Sequence, residues 1–181
     1  MRLLEAVKRL SVISNLVRYN TRWRIKDETV AEHSYFVVLI AMMISWKLRM
    51  EHDVDTDTGK ILQMAVIHDL PECEVSDIPY GAKDAMGIRD ALRKFEHQFF
   101  KSGRYLDLYK ELEEQRTLES RIVKFADTVS VMMYAQREVS LGNHNFEWIV
   151  KDTERRLRRF DFPPEFDYQS IIRSNNWEDV I

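Results

Sequence analysis

The chain has 181 residues, enough for one domain with a substantial core. Hydrophobic residues at 45% and charged residues at 31% exclude a disordered chain, and a net charge of -3 excludes a protein built mainly to coat nucleic acid. With 5 glycines and 4 prolines there are too few turn residues for a sheet-rich fold, and the single cysteine, Cys73, excludes an internal disulfide framework and fits a reducing cytoplasm.

The opening residues, MRLLEAVKRL, mix charged and apolar groups without the apolar core of a signal peptide. Residues 3–18 read as an amphipathic helix, with Leu3, Leu4, Val7, Leu10, Ile13, Leu16 and Val17 at steps of three and four. Residues 19–29 (YNTRWRIKDET) have no clean period and read as a basic and aromatic loop. Thr29 is placed to cap a helix over residues 30–48, with Glu32 completing a capping box. The middle of that helix is apolar almost all round, as expected at the centre of a bundle; its most apolar run, 12 residues from Tyr35, is too short for a membrane span of about 20. Asp55 or Asp57 can cap the next helix, which carries Ile61, Leu62, Met64, Ala65, Val66 and Ile67 up to His68-Asp69. A turn, SDIPYG, follows at residues 76–81, and helical patterns resume over 84–101, 106–115, 118–141 and 146–160. A short helix is expected near residues 165–172, after Pro163 and Pro164. The expectation is an all-α, single-domain bundle over residues 1–181 with six to eight helices.

Three sites place acids and histidines inside apolar helices: Glu32-His33, His68-Asp69 and Asp127. Burying such groups is costly unless they are paired or ligate a metal, and two imidazoles with two carboxylates suit a divalent cation. Glu72 follows His68 by four residues; if the helix continues through Pro71, it shares their face and can reach a cation-bound water as a general acid/base. His52, His97 and His144 lack such settings and read as solvated surface residues. The pairs Met42-Met43 and Met132-Met133 read as packing, Trp23 as a core candidate between Arg22 and Arg24, and the run ERRLRR at 154–159 as a solvated face or subunit contact.

The order His33, His68-Asp69, Asp127 resembles the HD-domain superfamily of metal-dependent phosphohydrolases. Arg18, ETVAEHS (28–34), HDLPE (68–72), SDIP with Asp77, Lys83 and KFADTV (124–129) are similar, in order and separation, to the bacterial HD-domain 5′-deoxynucleotidases. The resemblance implies an HD-type helical fold with one divalent cation (Co, Mn, Zn, Fe, Ni or Mg) on His33, His68, Asp69 and Asp127. It implies Glu72 as the catalytic residue acting on the attacking water, Arg18 and Lys83 on phosphate, and Asp77 at the sugar hydroxyl. Tyr19 stands where that family carries a tryptophan, as a further substrate contact, and the loop beyond it departs from the family in detail.

The expected activity is hydrolysis of a deoxyribonucleoside 5′-monophosphate to nucleoside and phosphate. The alternatives are a deoxynucleoside triphosphate hydrolase, for which Arg22, Arg24 and Lys26 are candidate contacts to the outer phosphates, a (p)ppGpp-type hydrolase, and a non-catalytic nucleotide-sensing module. The expected partner is a small nucleotide, with no nucleic-acid polymer and no membrane. Late apolar residues (Phe146, Trp148, Phe160, Phe162, Phe166, Trp177) point to a homodimer or higher homo-oligomer of a cytoplasmic enzyme.

Overall fold

A computed structural model describes residues 2–160 and residue 162. The helices are α1 (Leu3–Leu10), α2 (Val30–His52), α3 (Thr58–Ile67), α4 (Glu72–Val75), α5 (Tyr80–Ala85), α6 (Arg89–Phe99), α7 (Arg104–Glu114), α8 (Leu118–Ser140) and α9 (Glu147–Leu157). Among the described residues there is no strand, only an isolated antiparallel bridge between Val17 and Thr29. No helix there is long and apolar enough to cross a membrane.

The helix starts follow from local chemistry. Thr29 Oγ1 accepts the Glu32 amide at 3.1 Å while the Glu32 carboxylate accepts the Thr29 amide at 2.7 Å, the capping box expected for α2. Asp57 caps α3 through the Lys60 amide at 2.9 Å, and Thr117 caps α8. On α2, Val30, His33, Val37, Ala41, Ile44 and Leu48 form the buried stripe. Val37, Ala41, Ile44 and Leu48 pack on Ile61, Met64 and Ala65 of α3, Leu112 of α7 and Ile122, Val123, Phe125 and Ala126 of α8, forming the main core. A smaller core joins Tyr134 and Ala135 of α8 to Phe146 and Ile149, with Tyr19 packed against it.

The structure departs from expectation where local hydrogen bonding competes with periodicity. The helix expected over residues 3–18 stops at Leu10 and tightens into a 3-10 turn, Ser11–Ser14. There the Ser11 and Ser14 hydroxyls bond back to the carbonyls of Lys8 and Ser11. Leu3 and Val7 lie 82% and 52% exposed, so the apolar face of α1 is not covered by described residues. The single helix expected over 84–101 is broken at Gly87, whose φ of +63° ends α5 before α6 begins. α2 also exposes Tyr35, Phe36, Met42 and Trp46, so its apolar circumference exceeds what the bundle covers. Trp23, a core candidate from sequence, is 88% exposed. His97 is half-buried against the Glu113 carboxylate rather than solvated. Phe146 is fully buried, which removes it from an expected subunit contact, while Phe160 and Phe162 are partly buried against Phe125. Phe166, Trp177 and the helix expected near 165–172 lie outside the described residues.

Candidate metal centre and substrate loop

Three helices deliver the cage. His33 sits one turn into α2, His68 and Asp69 follow the last turn of α3, and Asp127 lies on the buried face of α8. His33 Nε2 lies 3.2 Å from Asp127 Oδ1 and 3.7 Å from Asp69 Oδ2, and His68 Nε2 lies 3.1 Å from Asp69 Oδ2. The two imidazole rings meet edge to face at 5.4 Å. His33, His68 and Asp127 each present a ligand atom within 4.8 Å of the others.

Both imidazoles are oriented from behind. His68 Nδ1 lies 2.7 Å from the Ala65 carbonyl, which only an N–H can satisfy, so Nε2 carries the lone pair that faces the cage. His33 Nδ1 lies 2.9 Å from Ser130 Oγ. Despite the nearby carboxylates, neither Nε2 has a hydrogen-bond partner among the described residues, and neither does buried Glu72 Oε2. Buried polar atoms left so are rare, and nitrogen and oxygen lone pairs converging in this way fit a divalent cation.

Electrostatics agree with the geometry. Burial, then the Arg18 charge, lowers the His33 pKa to about 4. Burial opposes the charge on His68, but Asp69 raises its pKa above the ordinary value. Burial likewise opposes ionisation of both aspartates. The facing imidazoles nevertheless hold both below the ordinary carboxylate range, helped at Asp127 by Lys124, whose Nζ lies 3.8 Å away. Burial, then the charges of Asp69 and Asp77, pushes Glu72 up to about 10; a cation in the cage would oppose those charges.

Glu72 does not reach this position along a continuous helix. α3 ends at Ile67, the chain turns, and Pro71 precedes the single turn of α4. Proline is tolerated there because the first turn needs no donor.

The loop of residues 19–28 borders the cage. Its base is closed by Arg18 N–H to the Glu28 carbonyl at 2.9 Å and Val30 N–H to the Leu16 carbonyl at 2.8 Å. The Arg18 guanidinium donates to buried Glu28 at 3.2 Å and lies over the Tyr19 ring, 5.6 Å from its centroid. Burial disfavours its charge, but Tyr19, Asp69, Glu28 and Asp127 hold its pKa above the ordinary value. Burial raises Glu28 to about 7 even with Arg18 opposing. Tyr19 takes a left-handed backbone, φ +53°, and its N–H donates to Asp77 Oδ2 at 3.2 Å. Its ring stacks on Tyr134 at 5.4 Å and meets Phe146 edge-on at 5.3 Å. Lys83 is half-exposed on α5, and its charge is felt by Glu72.

Several residues of the site went unread in the sequence. Glu138 of α8 is fully buried, and its carboxylate accepts the N–H groups of Ile25 and Lys26, each at 2.8 Å. Asn143 Nδ2 donates to Glu138 Oε2 at 2.7 Å and to the Trp23 carbonyl at 3.0 Å, and the Tyr134 hydroxyl donates to the Lys26 carbonyl at 2.7 Å. Burial opposes the Glu138 charge, but these donors hold its pKa below the ordinary value. The available signal was the register of Asp127, Ser130, Tyr134 and Glu138, which recur at steps of three and four along one face of α8.

The chain matches the family model described as 5′-deoxynucleotidase YfbR-like over residues 3–171. It is 24% identical over 157 residues to a 5′-deoxynucleotidase of Vibrio vulnificus (strain YJ016), covering 80% of this chain and 79% of that protein. It is 35% identical over 89 residues to the dATP triphosphohydrolase of Salmonella phage PMBT28, covering 44% of this chain and 45% of that protein. Its fold resembles the cyanophage S-2L HD phosphohydrolase DatZ, a structure bound to dA and one catalytic Zn2+ ion. The TM-score is 0.65 at 19% identity, over 99% of this chain and 98% of that one.

Proposed function

The chain belongs to the 5′-deoxynucleotidase YfbR-like family, and we propose from that premise how its helical cage cleaves deoxyribonucleoside 5′-monophosphates. It is a metal-dependent phosphohydrolase: water and the monophosphate give deoxyribonucleoside and inorganic phosphate. The observation that carries the residue assignment is the pair of buried, unsatisfied Nε2 atoms of His33 and His68, facing two ionised carboxylates.

In this reading His33, His68, Asp69 and Asp127 hold one divalent cation. When bound, the cation neutralises phosphoryl charge and acidifies water. Arg18 receives the non-bridging phosphoryl oxygens through its planar fork, held in place by Glu28, with Lys83 adding positive charge. Glu72 takes a proton from the attacking water. As the bond from phosphorus to the 5′-oxygen breaks, a proton passes to that oxygen. Asp77 faces the sugar while its carboxylate fixes the Tyr19 amide, and the Tyr19 ring supports Arg18 from below.

A monophosphate is favoured over a triphosphate by what the two other loop arginines already do. Arg24 is held by Asp27 at 2.6 Å, and Arg22 lies over Trp148 at 4.9 Å from the ring centroid. We further propose one domain spanning residues 1–181, a cytoplasmic location in keeping with the lone thiol of Cys73, and a homodimer using the exposed apolar residues of α2. Light scattering tests the last point, and a monomer at micromolar concentration refutes it.

The central test compares the five common deoxyribonucleoside monophosphates, the matching ribonucleotides and dATP, with and without divalent cation, reading phosphate, pyrophosphate and triphosphate. Phosphate release from the deoxyribonucleoside monophosphates, lost in Asp69→Ala together with bound metal, is expected. Turnover of dATP alone, or undiminished turnover in Asp69→Ala, overturns the assignment.

A further inference from the structure

Tyr19 anchors the start of the loop on Tyr134 and Phe146, but beyond it the loop has little apolar burial to hold it: Trp23 is 88% and Ile25 57% exposed. Loops of this size are usually packed by their own side chains. Here the far side of the loop is instead tied to α8 by polar bonds. The Glu138 carboxylate takes two successive backbone N–H groups, Asn143 bridges that carboxylate to the Trp23 carbonyl, and Tyr134 holds the Lys26 carbonyl. Two consecutive amides on one ionised carboxylate form a strong, charge-assisted arrangement, and burial excludes water as a substitute acceptor.

Glu138 lies eleven positions along the helix from Asp127, about 16 Å along the axis, so Glu138 does not touch the reacting atoms. The same helix carries Asp127 and Ser130 at one end of this stretch and the loop's anchors, Tyr134 and Glu138, towards the other. α8 is thus a common frame for the cage and the loop.

We propose that Glu138 is a positioning residue for the reaction, holding residues 22–26 against α8 so that Arg18 and Tyr19 are set over the cage before substrate arrives. The inference rests on the reading of Arg18 as the phosphate contact. The loop itself contains Arg22, Arg24 and Lys26, so trypsin reports its opening directly.

In the metal-loaded full chain, Glu138→Gln keeps the shape but replaces one acceptor oxygen by an amide that meets an N–H. The expected result is a KM for dAMP raised about tenfold or more, with kcat and cation affinity within about threefold of wild type. Cleavage after Arg22, Arg24 and Lys26 should accelerate by about tenfold relative to cleavage elsewhere in the chain. Tyr134→Phe, which keeps the ring stack on Tyr19 and removes one bond, should move both readouts the same way by about threefold. A lowered melting temperature with unchanged KM and unchanged loop cleavage in the folded variants would mean a merely structural role and overturns the proposal. If Glu138→Gln does not fold, Tyr134→Phe and Asn143→Ala decide it by the same two readouts. Absence of deoxyribonucleotide hydrolysis in the wild type would instead refute the assigned reaction, and loop cleavage in the variants would still decide whether the clamp exists.

Discussion

Ser130→Ala should weaken cation binding by about 10- to 100-fold while leaving the fold in place. Ser130 Oγ lies 2.9 Å from His33 Nδ1, and both residues are buried. Without the hydroxyl, a proton on Nδ1 has no acceptor in a site closed to water, at a cost of about 1–3 kcal/mol. The ring can escape by moving the proton to Nε2, but that nitrogen must then lose it again to bind a cation. Either route taxes the bound state, and the range corresponds to the usual effect of removing a group that orients a metal-bound histidine. His68 is an internal reference, because its Nδ1 partner is the Ala65 backbone carbonyl, which side-chain substitution leaves intact. Competition of the metal-free protein with a fluorescent chelator for Zn2+ or Co2+ gives the affinity, and thermal unfolding shows whether the fold survives. An affinity within twofold of wild type, in a folded variant, would refute the reasoning that Ser130 accepts the proton His33 carries on Nδ1 when Nε2 faces a cation.

Glu72→Gln should lower kcat by about 100-fold or more without changing metal content, measured by phosphate release beside elemental analysis; retained turnover rejects Glu72 as the proton carrier. Glu28 has a folded-state pKa of about 7 against an ordinary 4.5, so the folded chain binds its proton more tightly than the unfolded one. Stability should therefore fall as pH rises from about 4.5 to about 7, by roughly 3 kcal/mol at most, and Glu28→Gln should flatten that part of the urea-denaturation profile. An unaltered slope in the variant counts against a buried, titrating Glu28. Thr29→Ala removes the α2 cap and should cost about 1 kcal/mol, lowering the melting temperature by about 2–4 °C in calorimetry; no shift would mean the box contributes nothing.

The cage was legible because its residues break a strong pattern. His33, His68 and Asp127 interrupt apolar helical runs, where a charge or imidazole needs a reason. The caps of α2 and α3 were legible because Thr29 and Asp57 act within three residues of themselves. What sequence could not supply was long-range or competitive. Nothing near Glu138 indicates that its partners are the amides of residues 25 and 26, more than a hundred positions away. The ring contacts of Tyr19 with Tyr134 and Phe146 depend on a backbone twist that its neighbours do not announce. The end of α1 was missed because periodicity continues to Val17, while the serine hydroxyls already turn the chain aside.

The turn around Pro71 has a mechanical consequence. Glu72 N–H donates to the Asp69 carbonyl at 3.1 Å, so four consecutive residues form a short bracket with a carboxylate at each end. The spacing between those two carboxylates is governed by covalent geometry and one tight turn, whereas His33 and Asp127 arrive from distant stretches of chain. Loosening the bundle would therefore scatter the cage while leaving the Asp69 and Glu72 side chains in step.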